Sequence, residues 1–545
     1  FSIAVVASIA TGCKQVLDTS PNNSISDASA FATADRCLLV LNGVYDAAQS
    51  GFYNGSYSAN RGYPFGAANI EQGDNRGEDV VNIAAFYQIT YQGTYNPTTA
   101  NNVNMWANLY GLINRCNIAI DGFAKASGGV LTAPVASQYI AECRFLRAMA
   151  HHEALIHFAR PYTDNAGKNV GVPYRDFPVN SGTAVDQITT TPRMRVDSVY
   201  IKILADLDFA EANLPAAANV ARVSKAVAIA MKMRVKLHQA DFAGVITEGA
   251  KLVPATVNPL TPASVVSPIG GYALTANPDG PFANNVSNTE SMFSIRNDAL
   301  DNAGVNAALS TMYGSVTLTG RGLVAVSPVI WNNAGWQCDD KRRTLLYVTG
   351  TNGNGSQSYF TTKYRDYANR ADYAPQFRYA EVLLTLAEAE ARNAVGVSQR
   401  AIDLLNVVRN RSLASPLTSQ YTLASFATKV DLTKAILLER RIEFLCEGKR
   451  WADIHRNAPD ATYTTGGIPA KAVNGAAGLS IYNCGAGYTP GQALIPYNDY
   501  RFIWPIPTDE ISATELRGII SSVCIISVFC SKIALAAVAV CSCYV

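Results

Sequence analysis

The densest set of residues able to do acid–base chemistry is Glu439-Arg440-Arg441-Ile442-Glu443-Phe444, followed by Glu447-Gly448-Lys449-Arg450. Two carboxylates facing each other across a glycosidic bond would make a hydrolase, provided one is kept protonated as the acid. The interleaved arginines argue against that role. A neighbouring guanidinium lowers a carboxylate's pKa, whereas a general acid needs it raised. Residues three and four apart on a helix pair with one another instead. Glu439, Arg440, Arg441, Glu443, Glu447 and Arg450 are therefore expected to be structural ion pairs, and Arg144, Arg147, Arg378 and Glu381 to link helices in the same way. His151, His152 and His157 form a second cluster, but His152 and His157 do not share a helical face, so packing is expected rather than metal binding. The chain contains no H-E-x-x-H, G-x-S-x-G or G-x-x-x-x-G-K-[ST]. Gly350 to Gly355 (GTNGNG) lacks a lysine and a following helical pattern and reads as a flexible turn. No enzyme, cofactor or metal is expected.

Binding is the better use of these residue types. A sugar is recognised by flat aromatic faces for its apolar side and by planar amides or carboxylates for its hydroxyls. Two stretches hold both: Asp74, Asn75, Arg76 and Asp79 near Tyr87 and Tyr91, and Trp331, Asn332, Asn333, Trp336 and Asp340. The ligand-binding set expected from them is Trp331, Trp336, Asn333, Asp74, Asn75, Arg76, Asp79 and Tyr87. The competing reading is that these aromatics are small satellite cores pinning their loops.

Composition agrees with an uncharged polar ligand. Charged residues make up 16% of the chain and hydrophobic ones 48%, so a large core is affordable while neutral groups must wet the surface. Lys plus Arg at 44 against Asp plus Glu at 42 leaves +2, no field for nucleic acid. The 27 Tyr and 5 Trp suit sugar stacking. Of 11 cysteines, none forms C-x-x-C; Cys37, Cys116, Cys143 and Cys446 fall on helical patterns and read as small buried residues.

The elements that must position such residues are helical pairs. In Arg378 to Asn393, Tyr379, Val382, Leu383, Leu386 and Ala387 make one apolar stripe. A break containing Gly396 follows, Ser398 is placed to cap, and Ala401, Leu404, Leu405 and Val408 repeat the stripe. Such hairpins are the unit of tetratricopeptide-type solenoids, which bury their stripes only against neighbouring pairs. Trp106 to Phe123, Ser137 to Phe158, Val196 to Leu214, Lys225 to Ala240 and Leu432 to Arg456 also read helical. Between them, Gly51 to Asn102, Thr256 to Asn288 and Asn297 to Asp372 are rich in Gly, Asn, Ser and Tyr with little helical period. Long insertions of this kind are where a ligand site is expected.

The two ends differ from the rest. Phe1 to Ala10 is an apolar run followed by Thr11-Gly12-Cys13, the tail of a signal peptide ending in a lipobox-like cysteine, although Ala10 stands where Leu is usual. Export is expected, with Cys13 lipidated and tethering the protein to a membrane. Ile519 to Val545 could be a transmembrane helix, a buried terminal helix or a non-native end; its Cys-, Ser- and Val-rich composition favours the last.

The order of motifs between these ends resembles the SusD/RagB family. It runs from Leu17-Asp18 and Pro21 through Trp106, Tyr110, Asn114 and Asn117 to Ala141-Glu142-Cys143-Arg144-Phe145-Leu146-Arg147-Ala148. Asp206-Leu207, Leu214-Pro215, Arg222-Val223-Ser224-Lys225 and Glu290-Ser291-Met292-Phe293 continue it. Lys363-Tyr364, Arg378-Tyr379-Ala380-Glu381, Asn406 with Arg409 and Arg411, the Glu439 to Arg450 run and Trp504-Pro505-Ile506-Pro507 complete it. The resemblance implies a mainly α fold: a tetratricopeptide-like superhelical scaffold of about four helix pairs, with loop-rich insertions and minor β structure. It implies one SusD-like domain over 13–518, with an N-terminal part 13–250, insertions 51–102 and 255–372, and a C-terminal helical part 373–518. Residues 1–12 would be a signal-peptide remnant and 519–545 an apolar tail. It further implies a non-catalytic glycan-binding lipoprotein, or in some members a peptide-binding one, on the outer face of the outer membrane. The partner would be a TonB-dependent SusC-like β-barrel transporter. Asp340 with Arg342 resembles a structural Asp-x-Arg feature of the family. A surface glycan hydrolase is the less favoured alternative.

Overall fold

The computed structural model describes residues 27–54 and 60–513. Cys13, the 1–12 segment and the 519–545 tail lie outside the described residues. Helices of eight or more residues are labelled in chain order. The first seven are α1 (Ala34–Gln49), α2 (Ala68–Arg76), α3 (Ala100–Ala126), α4 (Ala133–Phe158), α5 (Gly182–Thr190), α6 (Val196–Asn213) and α7 (Lys225–His238). The remainder are α8 (Phe242–Gly249), α9 (Tyr379–Asn393), α10 (Gln399–Asn410), α11 (Lys429–Glu443) and α12 (Lys449–Asn457).

Eight of these make the scaffold. α1 packs on α3, α4 on α6, α7 on α8 and α9 on α10, and each pair packs on the next through α3–α4, α6–α7 and α8–α9. The result is a tetratricopeptide-like superhelix of helix pairs, because each apolar stripe is covered only by its neighbours. Ser398 caps α10 by accepting from the Ala401 N–H, as its position predicts. One continuous core runs from Leu41 through Phe145, Ile203, Ile229 and Leu383 to Leu405. No helix among the described residues is long and apolar enough to cross a membrane.

Two expectations are corrected. The stretch Leu432 to Arg456 is not one helix: α11 ends at Glu443, the chain turns through Cys446 (φ 66°) and Gly448 (φ 74°), and α12 begins at Lys449. Within the insertion Gly51 to Asn102, which lacks helical period, Ala68–Arg76 is nonetheless the helix α2. The two departures share one cause. α2 lies against the α11–α12 turn so closely that a Cβ on Gly73 would sit 2.6 Å from the Gly448 carbonyl oxygen, and a Cβ on Gly448 would sit 2.6 Å from the Ile70 Cα. Only glycine permits that approach and the left-handed φ at 448.

The insertions join one another over the scaffold. β1 (Val80–Asn82) pairs antiparallel with β3 (Val324–Val326), Val80 opposite Val326. β2 (Ser291–Ile295) pairs with β6 (Ala374–Arg378), the strand leading into α9, and β4 (Tyr347–Thr351) with β5 (Gln357–Thr361). Cys338 and Cys484 form a disulfide across 146 residues. That bond was not legible, since sequence alone does not fix cysteine connectivity. Cys37, Cys116, Cys143 and Cys446 are free and buried.

Candidate functional site

The charged motifs converge on a buried network. Arg342 contacts Asp340 at 2.7 Å, Glu439 at 2.6 Å and Glu443 at 3.0 Å. Arg378 pairs with Glu290, with Glu443 at 3.1 Å and with Glu447 at 2.8 Å. Arg411 pairs with Glu290 and, at 2.6 Å, with Glu443, and Lys363 reaches Glu447 at 2.6 Å. Burial alone would raise the Glu443 carboxyl, but Arg411, Arg378 and Arg342 together hold it well below the usual carboxylate range. At Glu439 burial wins over Arg342 and its pKa is raised. The network ties insertion residues to α11 and the ends of β6 and α10; none of its carboxylates is open to a ligand. Arg144 and Arg147 both hold Asp206 at 2.7 Å, linking α4 to α6, and Arg234 holds Glu381 at 2.8 Å, linking α7 to α9.

The eight residues expected at a ligand site have internal partners. Asp74 accepts from the Tyr313 hydroxyl at 2.6 Å and from the Gly448 N–H at 3.0 Å; burial, chiefly, pushes its carboxyl up to about 7. Asn75 donates to the Glu71 carbonyl of its own helix at 2.8 Å. Arg76 lies 3.3 Å over the Trp451 ring and donates to the Phe502 carbonyl. Asp79 pairs with Arg441 at 2.5 Å, and the Tyr87 hydroxyl donates to Glu71. Trp331 is stacked on Tyr359 at 3.9 Å and meets Trp336 edge-on at 5.5 Å, with the Arg343 guanidinium over both rings. Trp336 is 1% exposed and Trp331 6%, leaving neither ring face open to a sugar. Asn333 is half-buried and accepts from the Gly335 N–H at 2.9 Å. The satellite-core reading describes these aromatics, because a long insertion without its own helix needs large side chains to hold it down.

The residues that do face outward are others on the same insertions. Tyr53, directly after α1, stacks on Tyr63 with ring centroids 6.2 Å apart. The Arg61 guanidinium lies 4.2 Å from the Tyr53 ring and 5.0 Å from the Phe86 ring. Arg321, from the last insertion, lies 5.1 Å from Phe86 and donates to Asn306 at 2.8 Å. Tyr53, Arg61, Phe86 and Arg321 are all half-buried and Asn306 is exposed. Asn54 and Asn104 brace the edge through reciprocal bonds of 3.0 and 3.2 Å. The result is a shallow platform of aromatic faces, guanidinium forks and amides. Its members are scattered over the sequence and share no local spacing; the Gly-, Asn- and Tyr-rich composition of the insertions is the one signal that points at them.

A cleft of about 840 Å³ lies elsewhere, between α1, α4 and the segment before α7. Its one aromatic, Tyr45, donates to Glu142 at 2.7 Å and lies under Arg222 at 4.7 Å, so the cleft offers one ring where the platform offers two. For a flat polar ligand the platform is the better site.

The molecule's relatives share this architecture. The model of the SusD family matches residues 339–516, and a second family model, described as starch-binding and associating with the outer membrane, matches residues 46–237. SusD-like protein P38 of Formosa agariphila is 24% identical over 84% of this chain and 90% of its own length. SusD-like protein P2 of the same organism is 27% identical over 64% of this chain and 70% of its own. Among solved structures, a SusD superfamily protein from Bacteroides fragilis superposes with a TM-score of 0.70 at 23% identity, covering 89% of this chain and 99% of that one. A laminarin-binding SusD-like protein does so with a TM-score of 0.63 at 19% identity, covering 88% and 98%. With SusD-type family models matching residues 46–237 and 339–516, in opposite halves of the chain, and a mainly helical fold shared with solved SusD superfamily structures, the protein belongs to the SusD/RagB family.

Proposed function

We propose that this protein captures glycans on the platform of Tyr53, Arg61, Phe86 and Arg321 and passes them on without chemical change. The observation that carries this is the platform itself: it presents two half-buried rings, Tyr53 and Phe86, beside hydrogen-bonding groups. A sugar stacks its apolar face on such rings while guanidinium and amide groups bond its hydroxyls. An open surface also suits an internal stretch of a long polymer better than a closed pocket. The printed descriptions of relatives, starch-binding and laminarin-binding among them, point to the same ligand class. Hydrolysis is disfavoured because the clustered carboxylates are buried and used by arginines.

The same reading places the protein on the outer face of the outer membrane, anchored by acylation of Cys13, where it would deliver ligand to a TonB-dependent SusC-like transporter. The Cys338–Cys484 disulfide supports export, since such bonds persist in oxidising compartments.

Affinity electrophoresis in gels containing a panel of polysaccharides tests the binding claim. The expected result is retardation by at least one glycan with no release of reducing sugar. Phe86→Ala and Tyr53→Ala should each weaken the retardation about tenfold, the scale of one lost stacking contact. Retardation unchanged in both variants would move the site away from the platform. Failure with every glycan, alongside retention of a peptide library, would make the ligand a peptide.

A further inference from the structure

Both guanidiniums of the platform lack a carboxylate partner. Arg321 bonds only the neutral amide of Asn306, and Arg61 is held by two rings; among the described residues no Asp or Glu lies within ion-pair distance of either. The arginines of the buried network are the opposite case: Arg342, Arg378, Arg411, Arg441 and Arg450 are each held by two or more carboxylates. Glu71 acts on Arg61 from beyond ion-pair distance. Its carboxyl is buried without an ion pair, and burial pushes its pKa well above the ordinary range despite the Tyr87 hydroxyl and Arg61.

We infer that the platform selects anionic glycans, with Arg61 and Arg321 binding a uronate carboxylate or a sulfate ester on a sugar that packs beside Phe86. This deepens the proposed function and rests on it. The two forks lie 5.0 and 5.1 Å from the same ring. A sugar reaching this ring would therefore meet one or both guanidiniums. A guanidinium fork matches the two oxygens of a carboxylate or sulfate bidentately, and a charge-assisted pair is about twice as strong as a neutral hydrogen bond. Half-burial matters too: the pair forms where water is partly excluded, so it is screened less than one on an open surface. A neutral sugar would leave both charges as they are and gain only hydroxyl contacts.

The test uses the full chain and four probes: polygalacturonate for carboxylate, carrageenan for sulfate ester, and laminarin and starch as neutral polymers. Binding is read by affinity electrophoresis at two salt concentrations. The expected result is retardation by an acidic polymer that exceeds either neutral one and falls as salt rises. Arg61→Gln and Arg321→Gln should each weaken it about tenfold. Phe86→Ala should weaken it as well, while Lys125→Gln should not. Lys125 lies at the far end of α3 from Asn104, about 30 Å along the helix, and controls for general attraction of a polyanion. Which acidic polymer binds separates carboxylate from sulfate. A neutral polymer that binds, is lost in Phe86→Ala and is indifferent to both arginine changes overturns the anionic inference and keeps the site. Acidic binding equally weakened by Lys125→Gln, or untouched by Phe86→Ala and both arginine changes, overturns the inference and the site together. No retardation by any of the four also overturns both.

Discussion

Arg378 and Arg61 are both guanidiniums lying over aromatic rings, Arg378 at 5.2 Å from Phe444 and Arg61 at 4.2 Å from Tyr53. What faces the charge differs. Arg378 is buried and surrounded by Glu290, Glu443 and Glu447, every one of them satisfied inside the protein. Arg61 is half-buried and, among the described residues, has no carboxylate within ion-pair distance. The same chemistry therefore serves two ends: saturated with internal partners it fixes the scaffold to its insertions, and left short of partners at the surface it is available to a ligand. The buried case also shows why the Glu439 to Arg450 run is so charged. Desolvated ions are tolerated only in mutual contact, so every member of the set constrains the others.

The largest effect should come from breaking the buried set. Glu443→Gln leaves Arg342, Arg378 and Arg411 facing one carboxylate fewer, and should destabilise by about 3–5 kcal/mol in urea unfolding. A loss below about 1 kcal/mol would mean the network is not what joins insertion to scaffold. Acid should act on the interior next. His152, His238 and His455 are buried, with ring centroids 4.7 Å apart for the first two and 6.3 Å for the last two. Burial first, then Arg234 beside His152 and Arg76 beside His455, lower these two to about 3; His238 is lowered well below its ordinary value by burial, His152 and Arg456. All three are neutral in the native state and titrate near about 6.5 when unfolded. The unfolded chain therefore binds more protons across that window, and stability is lost as pH falls from about 6.5 towards 3. Each histidine contributes up to about 1.4 kcal/mol per pH unit. Buried carboxyls held above their ordinary range, Glu71 and Asp74 among them, act in the opposite sense, so the check is a difference: the Tm of His238→Gln relative to the parent should be constant above pH 7 and rise as pH falls below 6.5. The smallest effect should be at the platform: Arg61→Gln and Arg321→Gln should each change unfolding free energy by less than about 1 kcal/mol, the worth of a partly exposed cation–π contact. A larger loss would make the two arginines structural and erase the contrast.

The residues that could be read in advance are those whose role repeats locally. The stripe of Tyr379, Val382, Leu383 and Leu386, the cap at Ser398 and the Glu–Arg interleaving of 439–450 each carry their meaning within a few residues. α2 could not be read this way. Its sequence, ANIEQGDNR, has almost no apolar stripe, and its buried Glu71, Asp74 and Arg76 are tolerated only because Tyr87, Tyr313, Gly448 and Phe502 arrive from distant segments. The break between α11 and α12 has the same origin, since Gly448 is a close-contact point for α2. Trp331 and Trp336 were legible as aromatics in a loop, but whether a loop tryptophan faces water or the core depends on what packs over it. Here Tyr359 and Tyr482 supply that cover, with the loop further tied down by the Cys338–Cys484 bond.

The sequence by itself determined the class: helix pairs that must stack, insertions between them, an ion-paired rather than catalytic use of the charged motifs, and the family. Periodicity and interleaved charge are local properties, and a helix expresses them wherever it forms. Tertiary structure alone decided which aromatics are buried, which cysteines are joined and which arginines remain without a carboxylate. Those outcomes depend on groups hundreds of residues apart meeting in space, and no spacing along the chain encodes the distance between Arg61, Phe86 and Arg321.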